Sequence, residues 1–253
     1  LKNAAQKSQS DTSRLFTAFI DFQQAYDSVP REKLWKHLYH CRLPQQLIAI
    51  LQDLYHMDEY TLLDGDKMAS VQPVCGVKQG CPLSPLLFAI YLNDIDTVTE
   101  GVQGALTAIP NLTVTHLLFA DDLAFTANRQ PSLQKLLNNL KDYAMRKSLV
   151  VNTQKSQVMC INSRSTNLPT FFYDGSPLPY TDHFKYLGMV IDKQFHLSTA
   201  ADAALQPLMN GTFKIQRFAQ EHGLTNRLYA IIWLLKTYSI PACVYASQIW
   251  ATP

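Results

Sequence analysis

Two apolar runs, Leu117-Leu118-Phe119-Ala120 and Leu123-Ala124-Phe125-Thr126, are separated only by the pair Asp121-Asp122. Each run has the character of a β-strand, and two residues between strands make a tight turn. Aspartate suits turns, so the pair alone requires no function. A third carboxylate changes the reading. Asp21 ends the run Thr17-Ala18-Phe19-Ile20, a strand pattern with no other charge. An isolated carboxylate in such a setting is costly unless it is paired or metal-bound. If the Asp21 strand lies beside the Asp121-Asp122 hairpin, three negative charges converge, and such a cluster persists only with a cation. Oxygen-only ligands select a hard divalent ion such as Mg²⁺. Two such ions, about 3.5–4 Å apart, are the usual device for in-line phosphoryl transfer.

Around these carboxylates the chain alternates strand and helix patterns. Residues 17–22 read as a buried strand. Ser28 and Pro30 open a helix with Leu34, Trp35, Leu38 and Tyr39 at helical spacing, stopped near Pro44. A second helix carries Leu47, Ile48, Leu51, Leu54 and Tyr55. Residues 60–63 and 71–77 form a hairpin pattern around Asp64-Gly65, and a Gly/Pro-rich loop, 76–85, feeds an apolar helix from Leu86 to about Ile95. Residues 112–119 and 123–126 are the strands flanking the aspartate pair. Ser132 is placed to cap a helix with Leu133, Leu136, Leu137, Leu140 and Ala144 on one face. Residues 158–161, 171–173 and 184–191 are short strand candidates. From about Thr199 the pattern is helical, interrupted by Pro207, Gly211, Gly223 and Pro241. This order predicts an α+β sheet layered with helices, then a smaller helical unit beginning near residue 193.

Composition narrows the class. Apolar types make up 47% of the 253 residues and charged types 17%, which sustains a packed core and excludes wholesale disorder. The longest uncharged apolar stretches fall short of a bilayer span, so no membrane partner is expected. The opening LKNAAQKSQSDTS lacks the apolar core of a secretory signal and has no initiating Met, the pattern of a piece of a longer polypeptide. Cys41, Cys75, Cys81, Cys160 and Cys243 form no CxxC pair, which points to a reducing, intracellular compartment rather than a zinc ribbon or disulfide scaffold. Charge is unevenly spread. Residues 61–128 carry two basic against seven acidic side chains. Residues 129–164 carry Arg129, Lys135, Lys141, Arg146, Lys147, Lys155 and Arg164 against Asp142 alone. A metal site beside a polyanion track produces this pattern, and so does a basic solvated helix face.

The loop supplies a third element of a site. Gly76, Gly80, Pro82 and Pro85 make a rigid turn ahead of a helix, where backbone N–H groups and a side chain can meet a nucleotide. Gln79 offers a donor and an acceptor there. The blocks AFIDFQQAYDSVP, GVKQGCPLSPLLFAIYLNDI, LLFADDLAF, VVNTQKSQVM and FKYLGMVID cover roughly residues 17–192. With these five blocks the sequence resembles the reverse transcriptases of the non-LTR retrotransposon (LINE-type) family, whose palm motifs, lettered A to E, come in this order.

The resemblance implies an RNA-directed DNA polymerase. Its fold would be a right-hand palm, an antiparallel sheet with helices on one face, over residues 1–192, followed by a partial helical thumb over 193–253. Asp21, Asp121 and Asp122 would be the catalytic, metal-binding triad for two Mg²⁺ ions, with Mn²⁺ as a substitute. Tyr26 would be the aromatic gate that excludes a ribose 2′-OH. Gln79, with Gly80, would contact the incoming nucleotide, and Lys155 would sit near the triphosphate as a proton donor to pyrophosphate. Phe184 to Gly188, with Tyr186, Leu187 and Gly188 at its centre, would form the grip on the primer end. The implied partners are an RNA template, a DNA primer and dNTPs, with fingers and endonuclease regions elsewhere in a longer polyprotein. The implied compartment is the nucleus. GVKQGCPLSP and FADD are nearer the LINE type than the group II intron type, which tends towards a QGG-like turn and YADD.

The remaining polar and aromatic residues have plainer readings. His37, His40 and Cys41 lack a fourth zinc ligand at suitable spacing. Cys75 and Cys81 read as small apolar fillers, and Asp94 and Asp96 as solvated helix-end residues. Asp27 reads as a helix cap with a supporting role beside the gate left open. Trp233 and Trp250 read as core or interface residues. Two rival functions use the same fold: a palm without activity that serves as a nucleic-acid scaffold, and an RNA-templated RNA polymerase.

Overall fold

The computed structural model describes residues 14–64, 67–107, 109, 112–163, 167–245 and 247. Strand β1 (Leu15–Ile20) leads to helices α1 (Arg31–His40) and α2 (Gln45–His56), a hairpin of β2 (Tyr60–Asp64) and β3 (Lys67–Val71), helix α3 (Ser84–Tyr91) and the single turn α4 (Asp96–Thr99). Next come β4 (Ala105–Leu106), β5 (Thr113–Val114), β6 (His116–Phe119), β7 (Asp122–Ala127), α5 (Gln130–Lys147) and β8 (Gln157–Ile161). Two small hairpins follow, β9 (Phe172–Tyr173) with β10 (Ser176–Pro177), and β11 (His183–Tyr186) with β12 (Met189–Asp192). The remainder is helical: α6 (Leu197–Glu221), α7 (Leu228–Leu234), a π-helical turn (Leu235–Ser239) and α8 (Ile240–Val244).

The central sheet is antiparallel in the order β6-β7-β1-β8. Every residue of β1 is buried, because β1 is an inner strand and both faces of the sheet are covered. Side chains alternate across a strand, so the two faces are legible residue by residue. Phe16, Ala18, Ile20, Leu123, Phe125, Val158 and Cys160 join a core with Leu34 and Leu38 of α1, Leu87 and Phe88 of α3, and Leu133, Leu136, Leu137 and Leu140 of α5. Leu15, Phe19, Ala124, Met159 and Ile161 point the other way, onto Tyr186 and Ile191 of the β11–β12 hairpin. Helices therefore cover one face and a hairpin the other.

Several elements depart from the sequence expectation. The second strand of the β2–β3 hairpin is Lys67–Val71, not 71–77; Gly65 of the expected turn lies outside the described residues. The stretch after Val71 instead runs back to the start of α1, where Cys75 bridges Pro30 and Gly76 N–H donates to the Val29 carbonyl (2.8 Å). Cys75 is consequently exposed rather than a filler. Ser132 lies inside α5, whose cap position is Arg129 and whose first turn holds Pro131. Residues 184–191 are two strands of a hairpin, not one strand. Helix α6 runs through Pro207 and Gly211 and ends before Gly223, whose φ is +66°. Gly211 lies against Ser239, so a side chain there would collide with the π-helical turn. Trp233 is more than half exposed, and Trp250 lies outside the described residues.

Two cations of the basic segment 129–164, Lys141 and Lys147, are neutralised by ion pairs, and a third, Lys135, is bonded to backbone. Lys141 pairs with Asp174 (2.6 Å), and Lys135 donates to the Gly101 carbonyl (3.2 Å). Lys147 is buried, paired with Asp94 (2.9 Å) and bonded to the Tyr91 carbonyl (2.8 Å) and to His37 Nδ1 (3.2 Å). Arg164 lies outside the described residues. Asp94 also accepts from the Tyr143 hydroxyl (2.8 Å), so it is a structural anion and not a solvated helix end. Burial pushes its carboxyl up, but the bonds and charges of Lys147, Tyr143 and His37 outweigh that and hold it below the ordinary value. His37 Nε2 meets Asn93 Oδ1 at 2.8 Å, and no zinc-like cluster forms among the described residues.

Candidate active site

The β6–β7 turn creates the site. Phe119 pairs with Asp122, leaving Ala120 and Asp121 as a two-residue loop, and Ala120 has φ +53°. Left-handed φ in the first loop residue suits the twist of the strands and strains an alanine. On the other side of β7, the last pair with β1 is Ile20 and Leu123. One step further along the register sets Asp21 opposite Asp122. Both point to the face that carries Phe19 and the β11–β12 hairpin, because they have the parity of Phe19 and Ala124. Asp121 stands at the loop between the strands. Asp21 is half-buried; Asp121 and Asp122 are exposed. The Asp21 backbone is fixed from a distant segment: its N–H donates to the buried Ser156 hydroxyl (3.0 Å), and its carbonyl accepts from Asn152 N–H (2.8 Å).

Electrostatics ties the three carboxylates together. Burial, then the charges of Asp121 and Asp21, raise the Asp122 carboxyl above its ordinary value. Burial and the Asp121 charge raise the Tyr26 hydroxyl. Burial and Asp122 push Tyr186 up to about 12. Among the described residues no ion pair reaches Asp21, Asp121 or Asp122. Nor does any trio of His, Cys, Asp or Glu among them stand close enough to wrap one ion. The three aspartates thus share a field but not a closed coordination shell. Their chemistry, oxygen donors without a compensating cation from the protein, fits a hard divalent ion.

The loop 76–85 brings a second wall to the site. Tyr26 is stacked on Phe88 of α3, ring centroids 4.8 Å apart and planes 18° apart. Val77 N–H donates to the Tyr26 carbonyl (2.9 Å). Gly76 has φ +88° and packs so closely on the Asp27 backbone that a Cβ would meet its carbonyl oxygen at 3.1 Å. Lys78 pairs with Asp58 (2.5 Å), which also holds Arg31 (3.1 Å). Gln79 and Gly80 are exposed at the tip. Asp27 does not cap α1: its carboxylate accepts from the Gln79 amide, and no side chain caps that helix.

The third wall is the β11–β12 hairpin. Phe184 stacks on Phe19, centroids 3.9 Å apart and planes 7° apart, and Tyr186 packs on the same ring at 5.6 Å. Tyr186 pairs with Met189, so Leu187 and Gly188 form a two-residue turn with φ +48° and +80°. Both values suit a tight twisted turn. The turn is braced from the helical region, where the Tyr245 hydroxyl donates to the Leu187 carbonyl (2.9 Å).

Lys155 lies in the turn that holds Asp21, with its N–H on the Asn152 carbonyl (3.2 Å). Its side chain is exposed and makes no ion pair with the aspartates among the described residues. Sequence reasoning missed Ser156, Phe19, Phe88 and Tyr245 as supports. Only Phe19, two residues before Asp21 in a strand, carried a readable signal, its parity with that carboxylate.

Comparison with known proteins adds to this geometry. Residues 2–191 match the family model described as reverse transcriptase (RNA-dependent DNA polymerase). The chain is 24% identical over 228 residues to the RNA-directed DNA polymerase from mobile element jockey of Drosophila funebris, covering 87% of this chain and 22% of that protein. It is 30% identical over 185 residues to the retrovirus-related Pol polyprotein from type-2 retrotransposable element R2DM of Drosophila melanogaster, covering 69% of this chain and 17% of that one. The chain therefore spans about a fifth of the length of these relatives. Among solved structures it is similar in fold to apo telomerase of Candida tropicalis, with a TM-score of 0.57 at 12% identity over 98% of this chain and 44% of that one.

Proposed function

The chain belongs to the reverse transcriptase (RNA-dependent DNA polymerase) family, and from that premise we propose that it is the catalytic palm and the start of the thumb of a non-LTR retrotransposon polymerase. Residues 1–192 form the palm and 193–253 the thumb in this reading. The observation that carries it is the register that sets Asp21 opposite Asp122, with Asp121 in the adjoining turn. The reaction joins a primer 3′-OH to the α-phosphorus of a dNTP on an RNA template and releases pyrophosphate. Asp21, Asp121 and Asp122 would hold Mg²⁺, or Mn²⁺ in its place. Held there, the ion would supply Lewis-acid activation of the attacking hydroxyl and neutralisation of charge on the phosphates.

The chain's own side chains position the reactants. Tyr26, held flat on Phe88, is a rigid wall against a 2′-OH and so selects deoxynucleotides. Gln79 and Gly80 receive the nucleotide, Lys155 attends its triphosphate, and the turn Tyr186-Leu187-Gly188 seats the primer end. Catalysis in such a site rests on orientation and preorganised charge. Primer extension on an RNA template, with a DNA primer, dNTPs and Mg²⁺ or Mn²⁺, tests the reading. Extension by the parent chain and its loss in Asp121→Asn, with a melting temperature no lower than the parent's, is the expected outcome. Equal extension by the variant would refute the mechanism.

A further inference from the structure

The helical region holds the β11–β12 hairpin at both ends. At the base, the buried Asp192 carboxylate accepts from Gln194 N–H (2.8 Å), His196 N–H (3.0 Å) and the Thr199 hydroxyl (2.5 Å), which fastens the end of β12 to the start of α6. At the tip, Tyr245, which follows α8, donates its hydroxyl to the Leu187 carbonyl (2.9 Å). The Tyr245 ring lies on Gly188, where an added Cβ would meet Cε1 at 3.0 Å. Tyr245 is 58% exposed, so burial of the ring does not account for this docking. Between base and tip the packing is incomplete. A cavity of about 60 Å³ is lined from the hairpin by Met189 and Val190 and from the helices by Ala200, Ala203, Pro207 and Ala242. Atoms across a gap transmit little, so the tip's position against the helices is set chiefly by Tyr245. The tip also stands at the catalytic end of the sheet. Tyr186, the residue before the turn, packs on Phe19 and lies in the field of Asp122.

Resting on the polymerase reading above, in which the Tyr186-Leu187-Gly188 turn seats the primer end, we propose that Tyr245 is a positioning residue, a latch by which the helical region sets that turn against the primer terminus. The hydroxyl fixes the Leu187 carbonyl, and the bare Gly188 admits the ring. The φ of +80° at Gly188 demands glycine for a second, separate reason. Tyr245 acts through the turn and touches no reacting atom. Its contribution is therefore felt by a ligand that carries a primer end and not by a template strand alone.

The test is equilibrium binding of a labelled RNA template, bare and annealed to a DNA primer, beside single-nucleotide extension from that primer. Parent, Tyr245→Phe, Tyr245→Ala, Gly188→Ala and the double variant Tyr245→Ala/Gly188→Ala are compared. Tyr245→Phe removes one neutral hydrogen bond and should weaken binding of the annealed primer about fivefold. KM for primer should rise alike, while KM for dNTP, kcat and the affinity for bare template stay at the parent's values. Tyr245→Ala, which also loses the ring, should bind the annealed primer more weakly still. Gly188→Ala should cost less primer affinity in the Tyr245→Ala background than in the parent, because the ring it displaces is already gone. Losses shared equally by bare and annealed template, or a KM for dNTP that rises with that for primer, mark a general loosening and overturn the proposal. Additive losses at 188 and 245, or a Tyr245→Phe chain that binds primer like the parent, overturn it as well. The binding comparison stands even where the parent extends nothing, so failure of catalysis and failure of the latch are read separately. A parent that binds no annealed primer overturns the polymerase reading and this inference together.

Discussion

Replacing Asp122 with asparagine should raise the thermal stability of the metal-free chain while ending its polymerase activity. The register sets the Asp21 and Asp122 side chains directly opposite, a geometry that brings Cβ atoms to about 5 Å and makes like charges destabilising. Two unit charges about 6 Å apart repel by about 0.7 kcal/mol in water. Asp121 adds a second repulsion, and the exposure of both turn residues lets solvent and salt screen part of the sum. The net relief on removing the Asp122 charge is about 0.5–1 kcal/mol, or about 1–4 °C in Tm for a chain of this size. The sign with pH follows from the raised Asp122 carboxyl. The folded state holds that proton more tightly than the unfolded one, so the penalty is absent below the ordinary value of 3.8 and complete above the raised one. The gain from Asp122→Asn should therefore be full at about pH 7, shrink as pH falls towards 3.8, and shrink with added salt. Calorimetric melting in EDTA reads all three. Mg²⁺ should raise the Tm of the parent more than that of the variant. A variant that melts lower than the parent in EDTA at neutral pH would refute the reasoning, because the carboxylate would then be holding the hairpin together.

Three further outcomes are expected. Tyr26→Val should admit ribonucleotides in primer extension, and unchanged preference for dNTPs would dismiss the gate. Phe184→Ala removes the ring stacked on Phe19 and should cost about 2–3 kcal/mol of stability, with a higher KM for primer; a denaturant melt and a primer titration check it. Asp94→Ala strips the partner from buried Lys147 and from the Tyr143 hydroxyl and should cost about 2–3 kcal/mol. Because Asp94 is held below its ordinary value, its contribution is present above 3.8 and is lost as pH falls through the lowered value. Denaturant melts of parent and variant should converge only in strong acid.

How much of this was readable from residue order depends on the range of the interaction. Residues 15–20 and 123–127 are short, nearly continuous apolar runs, and such runs bounded by a carboxylate or a turn announce strands covered on both faces. Asp21 and the Asp121-Asp122 pair stood out because a carboxylate beside apolar strands breaks its local pattern. The same local logic misread residues 71–77, whose apolar types look like a strand. Their backbone groups are instead used by Val29, Pro30 and Tyr26.

Local order by itself determined an α+β chain with two carboxylate-bearing strands, a rigid Gly/Pro turn and a helical end, since propensity, parity and turn chemistry act between near neighbours. Tertiary structure alone decided which distant groups meet: Gln79 with Asp27, Ser156 with the Asp21 backbone, Phe184 with Phe19, and Lys147 with Asp94. Those contacts join residues far apart in the chain, and no local pattern encodes them. They exist because the sheet has two covered faces, and closing both faces brings these segments within hydrogen-bonding and stacking distance.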